Sequence, residues 1–179
     1  MGINDSVIAE QIFVSRVVAI LLKEGEILKS GKEPNYHFWI FFKEFMQEYI
    51  EKHHMYKQEK LLNHLLTKKL QAEHKERILK IIEQHEHGRK MTAVLNEILG
   101  ESFGNNETTL TGLKNIILSF EENYYHHSRE ELHFVQHYIE NHFNETSFKE
   151  FEILFEEYDD APTAESFAKR AMRFESAYL

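Results

Sequence analysis

Apolar residues recur at three- and four-residue spacing along almost the whole chain and are broken only at a few polar turns. That period is the mark of amphipathic helix. Two prolines and seven glycines in 179 residues are too few turn formers for a chain of many short strands. The length fits one domain. A chain of this size buries roughly 70% of its extended surface, so it needs neither disulfide nor metal to hold a core. Cysteine is absent, which rules out thiolate metal sites, iron–sulfur clusters and cysteine nucleophiles together. Thirty Asp and Glu against 21 Lys and Arg give a formal charge of −9. Such a surface opposes a phosphate backbone, so nucleic acid is excluded as a partner. No apolar run reaches the ~18 residues of a membrane span, and the first apolar stretch is interrupted by Arg16 and preceded by Asp5 and Glu10. The expectation is a cytoplasmic protein without membrane contact.

The periodicity predicts helices over about residues 5–29, 35–68, 72–99 and 108–143, with a shorter one over about 147–158. Ser30-Gly31-Lys32-Glu33-Pro34 ends the first, and Asn35 offers an N-cap for the second. The reversal between the second and third falls at 67–71, a stretch without Gly or Pro, because helices that pack side by side need a turn there. Residues 101–107 read as a polar loop, and 163–178 as a final helix or a partly ordered tail. Long helices joined by short loops pack best antiparallel. The expected fold is therefore all-α, an up-and-down antiparallel four-helix bundle over residues 1–160 with additional short C-terminal helices. Residues 161–179 form the C-terminal helix or tail.

Twelve histidines are the compositional outlier. A helical wheel at ~100° per residue separates inward from outward ones. On the fourth helix Leu113, Ile116, Ile117, Phe120, Tyr124, Phe134, Val135 and Tyr138 make one stripe. His127 and Glu131 fall within it, and His126, Glu130, His133 and His137 fall opposite. On the third helix His85 sits amid Ile78, Ile81, Ile82, Leu95 and Leu99, and His87 points away. The first helix places Gln11 among Val7, Ile8, Val18, Leu21 and Leu22. The second is less clean: Phe42, Met46, Tyr49 and Ile50 run into His53 and His54, while Leu61, Leu62 and Leu65 favour His54 with Gln58. A lone inward His is more often a hydrogen-bonded core residue than a ligand. Several of them with a buried carboxylate are costly unless paired or coordinated, so His54, His85, His127 and Glu131 are the candidate metal ligands.

At these residues the chain resembles the hemerythrin-like, or HHE cation-binding, family. Gln84-His85-Glu86-His87-Gly88-Arg89 is similar to that family's Glu-His-x-x-Gly-Arg run on the third helix. His126-His127-Ser128-Arg129-Glu130-Glu131 is similar to its His-His-x-Lys-Glu-Glu run on the fourth, and His53-His54-Met55-Tyr56-Lys57-Gln58-Glu59 to the same run on the second. The resemblance covers about residues 5–158 and implies a four-helix bundle around a non-haem di-iron centre, in proteins that bind or sense oxygen or iron or handle nitric-oxide damage. The chain departs from that pattern where Gln11 stands for an inward His and Gln58 for a Glu. Losing a bridging carboxylate depletes one metal position, and Glu59 lies ~100° around the helix from Gln58.

The remaining three imidazoles and one carboxylate suit a single divalent ion, iron first, with Zn, Mn or Cu as alternatives. The expected cofactor is thus iron, mono- or dinuclear, with a metal ion and a small diatomic ligand as partners in sensing or binding. The missing nucleophile–base pair and phosphate loop, and the Gln58 that replaces a bridging Glu of a di-iron oxygen-activating site, argue against an enzyme. The alternative is a metal-free bundle serving as an interaction or signalling module, its two glutamines satisfying buried hydrogen bonds where ligands once stood. A homodimer through the last segment stays open.

Overall fold

The computed structural model describes residues 3–100, 107–134, 149, 153, 156 and 161–178. Residues 101–106 of the expected loop, Val135, His137, Tyr138 and most of the short helix near 147–158 lie outside the described residues, and Glu107, expected in that loop, already begins a helix. Among those described the fold is all-helical, with no strand. No described helix is long and apolar enough to cross a membrane.

Helix α1 spans Ile3–Lys29 and stops in a reversal built by Gly31. The Gly31 N–H reaches the Leu28 carbonyl, the Lys32 N–H reaches that of Ile27, and Gly31 takes φ +77°. This is the 5→2 and 6→1 pairing that satisfies orphan carbonyls at a helix end, in a conformation glycine adopts without a Cβ penalty. Asn35 then caps the next helix as expected, its side chain accepting from the Phe38 N–H at 3.2 Å. Glu24 of α1, fully buried, ties the turn down by accepting from the Asn35 N–H at 2.6 Å and the Trp39 indole at 3.0 Å.

Helix α2 runs as three successive stretches, α-helical over Tyr36–Glu44, π-helical over Phe45–Met55 and α-helical over Tyr56–Leu66. The π stretch decides what this helix buries. In an α-helix a residue four positions on has drifted by about 40°. The wider i→i+5 turn offsets that drift, so residue pairs four apart stay in phase. Phe41/Phe42, Phe45/Met46, Tyr49/Ile50, His53/His54 and Lys57/Gln58 are all buried. The reversal at 67–71 follows α2, and α3 spans Ala72–Gly100. Helix α4 spans Glu107–Phe134 as described, and α5 spans Ala161–Tyr178.

Helix α4 packs against both α1 and α3, and α2 against α3. The uncertainty over residues 163–178 resolves as helix: α5 lies on α1 and α2, burying Phe167 and Ala171 and setting Phe174 against Phe38 and Phe41. It is clamped by Arg16–Glu175 and Arg170–Glu44 pairs and by the Tyr178 hydroxyl, which donates to Glu24 at 2.7 Å. One expectation for α1 fails at its start, where Ile8 is 36% exposed. Its inward stripe is set instead by Glu10, Gln11, Phe13, Val14, Val17 and Val18.

The core has two apolar parts. A large one gathers the aromatic residues of α2 with Phe13, Phe120 and Phe167. A smaller one holds Leu61, Leu62, Leu65, Ile78, Ile81 and Phe134. Along α2, α3 and α4 a set of buried polar side chains falls between the two: His53 to Gln58, then His85, then Glu131 with His127 beside it.

Candidate metal centre

His54 and Gln58, on one turn of α2, and Glu131 of α4 meet at the middle of this layer. The two oxygens of Glu131 are each taken by an amide, Oε1 by Gln58 Nε2 and Oε2 by Gln11 Nε2. The two glutamines thus converge on one buried carboxylate. His54 Nε2 lies 3.9 Å and His127 Nε2 3.6 Å from Glu131 Oε2, and the ligand atoms of His54, His127 and Glu131 all fall within 4.8 Å of one another. Bonds of about 2.0–2.1 Å around a metal put neighbouring donor atoms roughly 3–3.5 Å apart, so the group could hold a metal ion with a small contraction. His85 is set beside this group rather than in it. Its ring centroid is 4.8 Å from that of His127, and its Nε2 is 3.0 Å from Gln58 Oε1.

The three imidazoles share one arrangement. Each presents Nδ1 to an oxygen: His54 to Glu10 at 2.8 Å, His85 to Glu59 at 3.0 Å, and His127 to Gln84 at 3.1 Å. Such an acceptor holds the proton on Nδ1 and leaves the Nε2 lone pair facing inward, the outer-shell pattern of metal-binding histidines. Two of these lone pairs lack a satisfactory partner. His127 Nε2 is buried with no hydrogen bond. His85 Nε2 faces an amide oxygen, which cannot donate, and reversing that amide would turn its oxygen onto the Glu131 carboxylate. A cation in this space would satisfy both.

The electrostatics divide the groups by their surroundings. Burial dominates at Glu131 and, with the nearby Glu10 charge, outweighs His54 and the two amides, pushing the carboxyl up to about 7. Burial also opposes ionisation of Glu10, but the hydrogen bond and charge of His54 and the Lys57 ammonium overcome it and hold that carboxyl at about 2. Burial would lower His54, yet the Glu10 hydrogen bond and the Glu131 charge raise it. His85 is lowered by burial, with Glu59 working against that. His127 is driven well down by burial and by the neighbouring His85 and His54. His85 and His127 are therefore neutral, lone-pair-bearing rings at neutral pH.

The wheel finds Gln11, His54, Gln58, His85, His127 and Glu131 on the inside, and His37, His87, His126 and His133 exposed. It misses Glu10 and Lys57, both buried and ion-paired to each other. It also leaves Glu59 unused, whereas that carboxylate joins His85 to Arg89. Glu59 and Arg89 lie in the runs that carry the family resemblance, so position was a signal for both. Gly88, from the same run, lies under the end of the Met55 side chain, and a Cβ there would stand 2.5 Å from Met55 Cε and oblige that flexible end to move. Next to His54 and His127 is a pocket of about 50 Å³, walled on its apolar side by Met46, Met91 and Phe120.

No protein-family profile, no curated protein and no solved structure matches the chain.

Proposed function

We propose that the protein binds one divalent transition-metal ion, iron first, between His54, His127 and Glu131, with His85 as the fourth donor, in the core of an up-and-down four-helix bundle of the hemerythrin-like kind. The observation that carries this reading is the common tethering of the three imidazoles through Nδ1, with the Nε2 atoms of His54 and His127 set against one buried carboxylate and that of His85 against the adjoining Gln58 amide. A dry structural core has no use for the poorly partnered lone pairs of His85 and His127. Three nitrogens and one oxygen match iron, zinc or manganese. A bound ion of this type supplies Lewis acidity and a coordination position for a small ligand. The chain's own residues hold and orient it. Glu10, Glu59 and Gln84 fix ring rotation and tautomer, and Gln11 and Gln58 steady the carboxylate. The adjoining pocket, large enough for a few water-sized molecules or a small diatomic one, supports ligand binding or sensing rather than turnover.

A second reading, a metal-free interaction module, is favoured by one observation: the amides of Gln11 and Gln58 already engage both oxygens of Glu131. Elemental analysis of protein purified without a histidine tag and reconstituted with Fe(II) under nitrogen separates the two. About one iron per chain supports the mononuclear site, and none supports the module. Two irons with an oxo-bridge absorption band would replace both with a di-iron centre.

A further inference from the structure

We infer that the Lys57 ammonium occupies the place of a second cation on the Glu10 side of the site, so that the chain takes up one metal ion rather than two. This rests on the metal-binding reading for the first ion. Glu10 gathers nitrogen ends on both oxygens. Oε1 accepts from Lys57 Nζ and lies 3.9 Å from His53 Nε2, and Oε2 is 2.8 Å from His54 Nδ1. His54 thereby stands between two buried carboxylates, with Glu131 on its other nitrogen. One of them belongs to the candidate metal group; the other is neutralised by an amine. Lys57 is 1% exposed and comes one turn after His53 on α2, so its stem fills the space through which an ion would reach Glu10 Oε1.

Stability alone does not account for this pair. Well-packed apolar side chains of similar volume would serve a core at least as well as a buried ion pair. Removing only the ammonium is different, because it leaves a buried carboxylate beside an imidazole, which are donors of the type that hold hard and borderline divalent ions. The ammonium supplies positive charge there without a vacant coordination position. It also repels a second ion that would otherwise lie on Glu10 Oε1 beside His53 Nε2.

The test measures iron per chain after equilibration with Fe(II) under nitrogen and desalting, for wild type, Lys57→Gln, Lys57→Arg and Lys57→Gln with Glu10→Gln. The expected values are one for wild type, two for Lys57→Gln, one for Lys57→Arg, which keeps the charge, and one for the double variant, which removes the carboxylate. Apo Lys57→Gln should also melt below wild type and regain the loss with iron, since a ligand that binds the folded state alone stabilises it. A Lys57→Gln value no higher than wild type overturns the inference, and so does a second equivalent in Lys57→Arg. If wild type binds no iron but Lys57→Gln binds one that disappears with Glu10→Gln, the proposed function and the count of one both fail, and only the place of the Lys57 ammonium as a cation on Glu10 stands. No iron in either protein overturns both. Should Lys57→Gln not fold alone, refolding with Fe(II) decides: recovery with two bound irons supports the inference, and no recovery overturns it.

Discussion

Changing Gln58 to Glu exchanges one amide NH2 for an oxygen at a position 4% exposed. The lost NH2 is the group that donates to Glu131 Oε1 and lies 2.9 Å from His54 Nε2. The oxygen that faces His85 at 3.0 Å is retained. Two carboxylates then meet within hydrogen-bonding range inside the core. With both ionised, the cost is that of a buried charge without a partner, about 3–5 kcal/mol. One shared proton removes most of it, as in other facing carboxyl pairs. Gln58→Glu should therefore lower the unfolding free energy of apo protein by about 3–5 kcal/mol at pH 8 and by much less near pH 5. A divalent ion among the two carboxylates and three imidazoles restores stability, by about 4 kcal/mol at 1,000 times its Kd. Urea unfolding followed by circular dichroism, with and without Fe(II) under nitrogen, reads all of these. Unchanged apo stability at pH 8 would show that position 58 does not face Glu131. A loss that iron fails to reverse would show that these side chains do not converge on a cation.

Three further outcomes follow from the same geometry. His127→Ala should abolish iron binding while His126→Ala, at an exposed position, leaves the stoichiometry unchanged; the reverse result would mean that α4 is rotated by one residue. Glu59→Gln, which weakens the hold on His85 Nδ1, should loosen iron binding by roughly 10–100-fold as read by competition with a chromophoric chelator, and wild-type affinity would refute a role for His85. For pH, Glu131 is raised from 4.5 to about 7 in the fold, so its contribution is complete below about pH 4.5 and lost as pH climbs through 7, on the order of 3 kcal/mol. Glu10, lowered to about 2, acts in the opposite sense, its contribution being present above about pH 4.5 and lost as pH falls towards 2. Below about pH 6.5 the lowered His85 and His127 oppose the Glu131 loss, so apo melting temperature should decline from about pH 6.5 to 8 as iron affinity rises, because the ion displaces protons; differential scanning calorimetry with flat apo and iron-loaded curves across that range would contradict the assignment.

The helices were legible in the sequence because each carries its own period and stops. Gly31 and Asn35 end one helix and start the next by local chemistry that needs no tertiary information. The inward set on α3 and α4 was legible for the same reason, since both are regular helices through His85 and Glu131. On α2 the reading stalled at His53 and His54 because a 100° wheel assumes i→i+4 bonding, and the π stretch of Phe45–Met55 keeps both inside. Lys57 was missed for that reason and one more: a lysine is read as exposed unless its partner is known, and Glu10 lies 47 residues away. Glu10 itself adjoins Gln11 at the start of a helix where Ile8 and Ile12 are exposed, so apolar pattern alone could not phase that end of α1.

The polar layer fixes the helices against one another in a way an apolar layer would not. Leucines in these places would let α1 or α4 slip by a residue at modest cost, since apolar contacts are non-directional. Here a slip of α1 would strand Glu10 away from Lys57 and His54 and pull Gln11 off Glu131. A slip of α4 would remove Glu131 from both amides and His127 from Gln84. Each stranded buried group costs about 1–3 kcal/mol, more where it is charged, so the registers of α1, α2, α3 and α4 are set jointly. The same joint setting brings the Nε2 atoms of His54 and His127 to one carboxylate and that of His85 to the adjoining Gln58 amide. On the proposed metal-binding reading, helix register and cation affinity are one property of this layer, and substitutions at Glu10, Glu59 or Gln84, none of which would contact the first ion, should move both together.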